Sequence, residues 1–391
     1  MYKDIPVILL VDDSNFNLEI LKDALSDYYH LTASTGMDAI EIASLELKPD
    51  LILLDIIMPG IDGYSTCCQL KKIERTKDIP VIFITAQNDS DSIVKGFNAG
   101  AVDYISKPFN YHELQARVKT QLAVKIARDE NMKLLKELGQ VNRELTDSIE
   151  YAKKIQKASM PSEKFLNTIL PEYFILLKPK DIVSGDFYWA AKVDGHIVIA
   201  AADCTGHGVP GAFMSMFGVA YLAEIVGNNR VTNPSRILDE LRDVVIDSLQ
   251  QDEKSEVKDG MDISIVSIDV EAREIEFAGA FNPLYLIRED EMLIYPADHM
   301  PVSIGEVDKP FCNHLIKYKK GDCFYLFSDG FASQFGGKNN KKLKKSGFKN
   351  MLLKRYKYPM QEQKMYYSRF FYDWKGDQEQ VDDLLLLGFR M

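Results

Sequence analysis

Asp12 and Asp13 follow the apolar run Val7–Val11, Asp55 closes the run Leu51–Leu54, and Lys107 follows Val102–Ile105 just ahead of Pro108. Carboxylates brought together repel one another unless a hard cation neutralises them, and Mg²⁺ takes one or two carboxylates plus waters and phosphate. A carboxylate held beside Mg²⁺ and a lysine can attack a phosphoryl group and carry it as an aspartyl phosphate. Asp55 is placed for that role, with Asp12 and Asp13 on the metal and Lys107 on the transferred phosphate.

A second set of acids lies further along. Asp194-Gly195 separates two apolar runs, which is a strong signal for a two-residue hairpin. Counting outward from that turn brings Asp186 opposite Asp203. Cross-strand partners share a face with Cβ atoms about 4.5–5.5 Å apart, and like charges there are destabilising, so the pair calls for a cation. Asp329 ends the run Cys323–Phe327 in a Ser-Asp-Gly turn, and Asp382-Asp383 opens the strand Leu384–Leu387. Neighbouring strand residues face opposite ways, so one acid of that pair must point inward, where an unpaired charge is costly. An oxygen-only cluster suits Mg²⁺ or Mn²⁺ rather than Zn²⁺. Asp194 itself reads as turn chemistry alone.

The elements that must position these residues divide the chain in three. Residues 1–122 alternate short apolar strands (Val7–Val11, Leu31–Ser34, Leu51–Leu54, Val81–Ile84, Val102–Ile105) with amphipathic helices. That pattern predicts an α/β doubly wound, five-stranded parallel sheet, and strand order 2-1-3-4-5 converges Asp12, Asp13, Asp55 and Lys107 on one crevice. Residues 123–160 belong to a helical stretch without proline and with Gly139 alone as glycine. Leu135, Leu138, Asn142, Leu145, Ile149 and Ala152 keep 3-4 spacing with Asn142 at an a-type position, which predicts a short dimeric coiled coil. The alternative is a single helix packing that stripe on a globular domain. From Pro161 to Met391 the pattern turns β-rich, with helical stretches near 209–226 and 233–250.

Composition narrows the class. The 391 residues carry a net charge of −11, which disfavours nucleic acid as a ligand, and no helix-turn-helix segment is evident. Five cysteines without C-x-x-C spacing form neither a disulfide framework nor a zinc site and fit a reducing cytoplasm. The N-terminus lacks the pattern of a signal peptide, and Ala212–Val226 reads as a buried helix too short to span a bilayer, so the expectation is a cytoplasmic protein without membrane contact. The lysine-rich stretch Lys338–Lys349 reads as a solvated loop and helix start, or as a docking surface for an acidic partner.

Val-Asp-Asp-Ser (11–14), Leu-Leu-Asp-Ile-Ile-Met-Pro-Gly-Ile-Asp-Gly (53–63), Ile-Thr-Ala (84–86) and Ser-Lys-Pro-Phe (106–109) stand in the order of a CheY-like response-regulator receiver, which the first domain resembles. The resemblance implies that Thr85 contacts the phosphoryl group, Tyr104 moves as an aromatic switch and the Ile57 carbonyl completes the Mg²⁺ shell. It also implies a sensor histidine kinase or phosphotransfer protein as partner.

Ser-Gly-Asp-Phe-Tyr-Trp (184–189), Asp-Cys-Thr-Gly-His-Gly (203–208), Gly-Met-Asp (260–262), Phe-Ser-Asp-Gly-Phe (327–331) and Val-Asp-Asp (381–383) resemble the metal-dependent Ser/Thr phosphatases (PPM family) in their SpoIIE/RsbU-like branch. The fold implied is α+β, an antiparallel β-sandwich flanked by helices. Asp203 would bridge two Mn²⁺ or Mg²⁺ ions, the Cys204 carbonyl would ligate one, and Asp329 and Asp382 the other. Asp186 would contribute directly or through water, and Asp382 rather than Asp383 is the ligand. His207 is either a proton donor to the leaving group or a structural turn residue, and Asp262 could help hold a third metal. Ser333 departs from the acid many relatives carry. The implied output is dephosphorylation of phosphoserine or phosphothreonine on a protein such as an anti-sigma-factor antagonist, the alternative being a catalytically inactive adaptor of the same fold.

Overall fold

A computed structural model describes residues 5–86, 90–252, 258–305 and 309–391. It divides into two compact units, Met1–Asn142 and Arg143–Met391, which meet within one helix.

In the first unit, β1 (Val7–Val11), α1 (Asn15–Ala24), β2 (Tyr29–Ala33), α2 (Gly36–Ala43), β3 (Leu51–Asp55), α3 (Gly63–Lys72), β4 (Val81–Thr85), α4 (Ser90–Asn98) and β5 (Asp103–Ser106) alternate, and α5 (Tyr111–Ser159) follows. The strands form one parallel sheet of order β2-β1-β3-β4-β5. β1, β3 and β4 are buried throughout because helices cover both faces, which is why they read as unbroken apolar runs. β2 begins two residues earlier than its apolar signal, because it is an edge strand with only Ala33 buried.

α5 is helical over its whole predicted length and extends into the second unit. Leu135, Leu138 and Leu145 are 67%, 65% and 58% exposed, so within their own units no described residue covers these three side chains.

The second unit continues with α6 (Glu163–Ile169), β6 (Glu172–Lys178), β7 (Phe187–Val193), β8 (His196–Cys204), α7 (Gly208–Leu222), α8 (Pro234–Ser248), β9 (Met261–Asp269), β10 (Glu274–Ala280), β11 (Leu284–Arg288), β12 (Glu291–Tyr295), β13 (His314–Lys317) and β14 (Cys323–Phe327). It ends with α9 (Gly330–Ser333), the two-residue strands β15 (Phe335–Gly336) and β16 (Lys341–Lys342), α10 (Lys344–Leu353), α11 (Met360–Lys375) and β17 (Leu384–Arg390). One sheet has the order β13-β10-β9-β8-β7 and the other β12-β11-β14-β17-β6, with every pairing antiparallel.

The sheets pack face to face through Ile197, Ile199, Val266 and Ile268 on one side and Leu326, Leu385, Leu387 and Phe389 on the other. α7 and α8 cover the outer face of the first sheet, and α10 and α11 that of the second. Each fully buried aliphatic or aromatic side chain contributes roughly 1.5–3 kcal/mol. β17 is apolar on both faces because both are covered.

Among the described residues, α7 and the π-helical turn after it, Gly208–Asn228, are long and apolar enough to cross a membrane. Length therefore does not exclude a span, as the shorter apolar run suggested. Packing supplies the better reason for its composition, since Met214, Val219, Leu222, Ile225 and Val226 lie in the core against the sheet.

The Asp194-Gly195 turn has φ of 49° and 85°, and Val193 pairs with His196 as expected of that hairpin. Arg230 pairs with the Asp194 carboxylate. The lysine-rich stretch spans the turn after β15, then β16 and the start of α10.

Candidate functional sites

In the first unit the parallel strands deliver their acids to one end. Asp12, Asp13 and Asp55 have carboxylate oxygens within 4.8 Å of one another. Lys107 Nζ donates to Asp12 Oδ2 at 2.8 Å and to Asp55 Oδ2 at 2.7 Å, bridging β1, β3 and β5. Burial pushes the Asp55 carboxyl up, and the lysine opposes that shift. Asp12 is fully buried and accepts from Ser14 N–H and from the Asn17 amide, a contact that sequence spacing did not suggest. Ile57 has an exposed side chain, which leaves only its backbone for a role at the site. Thr85 and Tyr104 line one small cavity with Phe97, whose ring meets that of Tyr104 edge-on at 6.2 Å.

In the second unit a cleft of about 490 Å³ gathers Asp203, Asp262, Asp329 and Asp382, together with Cys204, His207 and Lys258. Asp203 and Asp262 are direct partners across the β8–β9 ladder. Asp329 and Asp382 flank β14 and β17 in the opposite sheet, and Asp329 N–H reaches Asp203 Oδ2 at 3.5 Å. Burial raises the Asp203 carboxyl to about 8, with Asp329, Asp382 and Asp262 adding like charge. Asp262 rises to about 6 by burial and by Asp329. Ser333 Oγ donates to Asp329 Oδ2 at 2.9 Å, so the serine in that loop orients the acid it follows.

Asp186 departs from its expected place. The β7–β8 ladder keeps the predicted register but its last pair is Phe187 with Ala202, one residue short. The Asp186 carboxylate is instead buried, accepting Ser328 Oγ at 2.6 Å. Burial and then Asp203 push its pKa well up. The hydroxyl donor from Ser328 offsets part of the cost of burying that carboxyl.

Asp382 and Asp383 stand just ahead of β17 rather than in it, and their side chains go separate ways. Asp382 lines the cleft, whereas Asp383 is buried and accepts Lys180 N–H and Gly185 N–H at 2.7 Å each. His207 Nδ1 lies 2.6 Å from Asp181 Oδ2 and Nε2 lies 2.9 Å from Lys180 Nζ. With Nδ1–H donated to the carboxylate, Nε2 accepts from the ammonium, and the imidazole holds Lys180 in place. Asp181 and Lys180 carried no motif of their own in the sequence.

A parallel receiver sheet with an acid-lysine pocket, followed by an antiparallel two-sheet sandwich with an acid cleft, defines a receiver joined to a PP2C-type phosphatase fold. Residues 8–119 match the response regulator receiver domain, and residues 193–391 match the family described as Stage II sporulation protein E (SpoIIE). The chain belongs to the SpoIIE family. It is 30% identical to the solved SiaA-PP2C domain of Pseudomonas aeruginosa, with a TM-score of 0.60 over 64% of this chain and 98% of that one. It is 40% identical over 125 residues to response regulator PleD of Caulobacter vibrioides, covering 32% of this chain and 27% of PleD. Over 124 residues it is 38% identical to the DNA-binding dual master transcriptional regulator RpaA of Synechocystis, covering 30% of this chain and 49% of RpaA. The chain thus spans about a quarter to a half of the length of the curated relatives it matches.

Proposed function

We propose that the chain is a two-component response regulator whose output is metal-dependent dephosphorylation of phosphoserine or phosphothreonine on a partner protein. The observation that carries the phosphatase half is the carboxylate set around Asp203. Burial and the like charge of Asp329, Asp382 and Asp262 raise the Asp203 carboxyl, and a bound cation would relieve that repulsion. The converging donors are carboxylate and backbone oxygens, and the rim imidazole is occupied by Asp181 and Lys180. That donor set suits Mg²⁺ or Mn²⁺.

Asp203 would lie between two such ions, with the Cys204 carbonyl on one and Asp329 and Asp382 on the other. Asp186 supports the site from behind through Ser328, and Asp262 adds charge from β9. Bound there, the ions supply an acidified water and charge neutralisation for the phosphoryl group. The chain's own residues aim the acids, keep Asp383 out of the cleft and set Lys180 at the rim, where its charge favours an anionic substrate.

For the receiver half, Asp55 accepts a phosphoryl group from a sensor histidine kinase or phosphotransfer protein. Asp12, Asp13, Asp55 and the Ile57 carbonyl would hold Mg²⁺, which would supply charge neutralisation, and Lys107 would leave its two carboxylates to pair with the phosphate. Thr85 and Tyr104, which line one cavity, report the change. The exposed Leu135, Leu138 and Leu145 support pairing of α5 with a second copy, which gives a homodimer. The likeness to the SpoIIE family supports a phosphorylated anti-sigma-factor antagonist as substrate. The test is Mn²⁺-dependent release of phosphate from a panel of phosphoserine proteins, with and without beryllofluoride. Activity that appears without added metal, in excess chelator, rejects the reading.

A further inference from the structure

A groove of about 600 Å³ runs along the outer side of β6. One wall is the strand itself, Tyr173–Leu177, and the other is built from the last turns of α5 and from α6. Among the described residues β6 is the terminal strand of its sheet and pairs only with β17, through seven continuous residue pairs. On its outer side every second residue therefore turns a backbone N–H and C=O toward whatever lies alongside.

Edge strands are ordinarily blunted by proline, a bulge, a charge in mid-strand or a helix laid against them. Glu172–Lys178 has none of the first three. Five successive apolar or aromatic residues fill it, and its ladder is unbroken. α11 packs on one face of β6 and sends Gln361 and Lys364 to the groove, while the last turns of α5 and α6 line its far side. Side chains reach the strand backbone near its two ends, with Gln361 Nε2 donating to the Tyr173 carbonyl at 3.1 Å and Gln380 Nε2 to the Lys178 carbonyl at 2.9 Å. A neighbouring strand needs a lateral spacing of only about 4.7–4.9 Å.

The lining charges point to what fits. Lys153, Lys157 and Lys364 line the groove against one acid, Glu163, in a chain whose net charge is −11. Among the described residues Lys157 and Lys364 have no ion-pair partner, and Lys153 reaches only Glu150 at 3.5 Å on the same helix. Ser184 also lines the groove, and its buried hydroxyl has no hydrogen-bond partner. A basic channel beside an open apolar sheet edge recognises an extended chain by backbone pairing and selects it by charge.

We infer that the groove receives an extended acidic segment of a protein partner, which adds to β6 as a further strand while Lys153, Lys157 and Lys364 pair with its carboxylates. The inference does not depend on the phosphatase reading. The probe is a labelled eight-residue peptide alternating valine and glutamate, titrated with the full chain by fluorescence anisotropy. Its controls alternate valine with lysine, or carry N-methyl groups on every second backbone nitrogen.

The glutamate peptide binds, the lysine and N-methyl peptides do not, and the double variant K157E/K364E weakens binding at least about tenfold. Neither lysine belongs to the acid cleft, so basal activity is unchanged in that variant. Hydrogen exchange at Tyr173–Leu177 slows when the glutamate peptide is bound. Absence of binding at millimolar peptide, equal binding of the N-methyl peptide, or protection elsewhere than β6 overturns the inference.

Discussion

Asp203 on β8 and Asp262 on β9 face one another directly across the strand ladder, two carboxyls on one side of one sheet. Both are raised from 3.8, Asp203 to about 8 and Asp262 to about 6, first by burial. A carboxyl whose folded pKa is raised contributes stability that is fully present below about 4 and is lost as the pH climbs through its folded pKa. The metal-free protein should therefore melt at progressively lower temperature between pH 4 and about 8. Each kcal/mol is worth about 2–4 °C in a unit of this size. Asp203→Asn should flatten the upper part of that curve, as followed by calorimetry in chelator. A melting temperature that holds level or rises from pH 5 to 8 contradicts the assignment.

Asp382 and Asp383 should fail differently. Asp382→Asn should weaken Mn²⁺ binding and turnover with little change in melting temperature, because its side chain lines the cleft. Asp383→Ala strips the acceptor from Lys180 N–H and Gly185 N–H, at roughly 1–3 kcal/mol for each buried donor left unpaired. Its main signature should be a lowered melting temperature. Isothermal titration with Mn²⁺ beside thermal melts separates the two, and identical behaviour counts against the division of labour.

Asp203→Ala and Asp329→Asn should each reduce phosphate release from a phosphoserine protein by at least about 100-fold, since metal charge stabilisation is worth several kcal/mol. Circular dichroism should show the fold intact. Turnover within tenfold of the parent would remove the acid cleft as the active centre.

Acetyl phosphate with Mg²⁺ should add one acid-stable, base-labile phosphate to the chain. Asp55→Asn should not label. Lys107→Ala removes the ammonium that bridges Asp12 and Asp55, and should slow labelling while leaving the acceptor in place. Full labelling of the Asp55 variant, read by intact-mass spectrometry, contradicts the choice of acceptor.

Asn142→Leu should tighten self-association of α5, because a polar residue at an a-type position fixes register at a cost in stability. Light scattering across a dilution series measures this. The same variant should lose the response of phosphatase activity to beryllofluoride. A parent that stays monomeric with and without beryllofluoride excludes the dimeric linker.

Much of this architecture was legible from residues alone, for identifiable reasons. Val7–Val11, Leu51–Leu54 and Val81–Ile84 declared themselves because both faces of each strand are covered, and Asp194-Gly195 did so because its φ values favour that dipeptide. α11 was not legible. Its buried face is Met360, Gln363, Tyr367 and Phe371, and its aromatics read as strand. Gln363 sits in the core because it donates to the Tyr356 and Tyr358 carbonyls and accepts from Tyr325 Oη at 2.7 Å. No periodicity announces such a residue. Likewise the pairing of Asp203 with Asp262 depends on which strand lies beside β8, and the burial of Asp383 on two N–H groups about 200 positions away.

Residues 179–186 form a partition one chain thick. Pro179, Ile182 and Ser184 border the groove beside β6, while Lys180 and Gly185 hold Asp383 next to the acid cleft. Gln156 on α5 grips the same segment, donating to the Ser184 carbonyl at 2.6 Å and to Ser215 Oγ at 2.7 Å and accepting Ser184 N–H. Behind it the fit is close, since a Cβ on Gly185 would come within 2.6 Å of the Gly206 carbonyl oxygen. The groove and the cleft therefore share one wall of backbone, and whatever fixes that segment from one side also fixes the two N–H groups that hold Asp383 on the other.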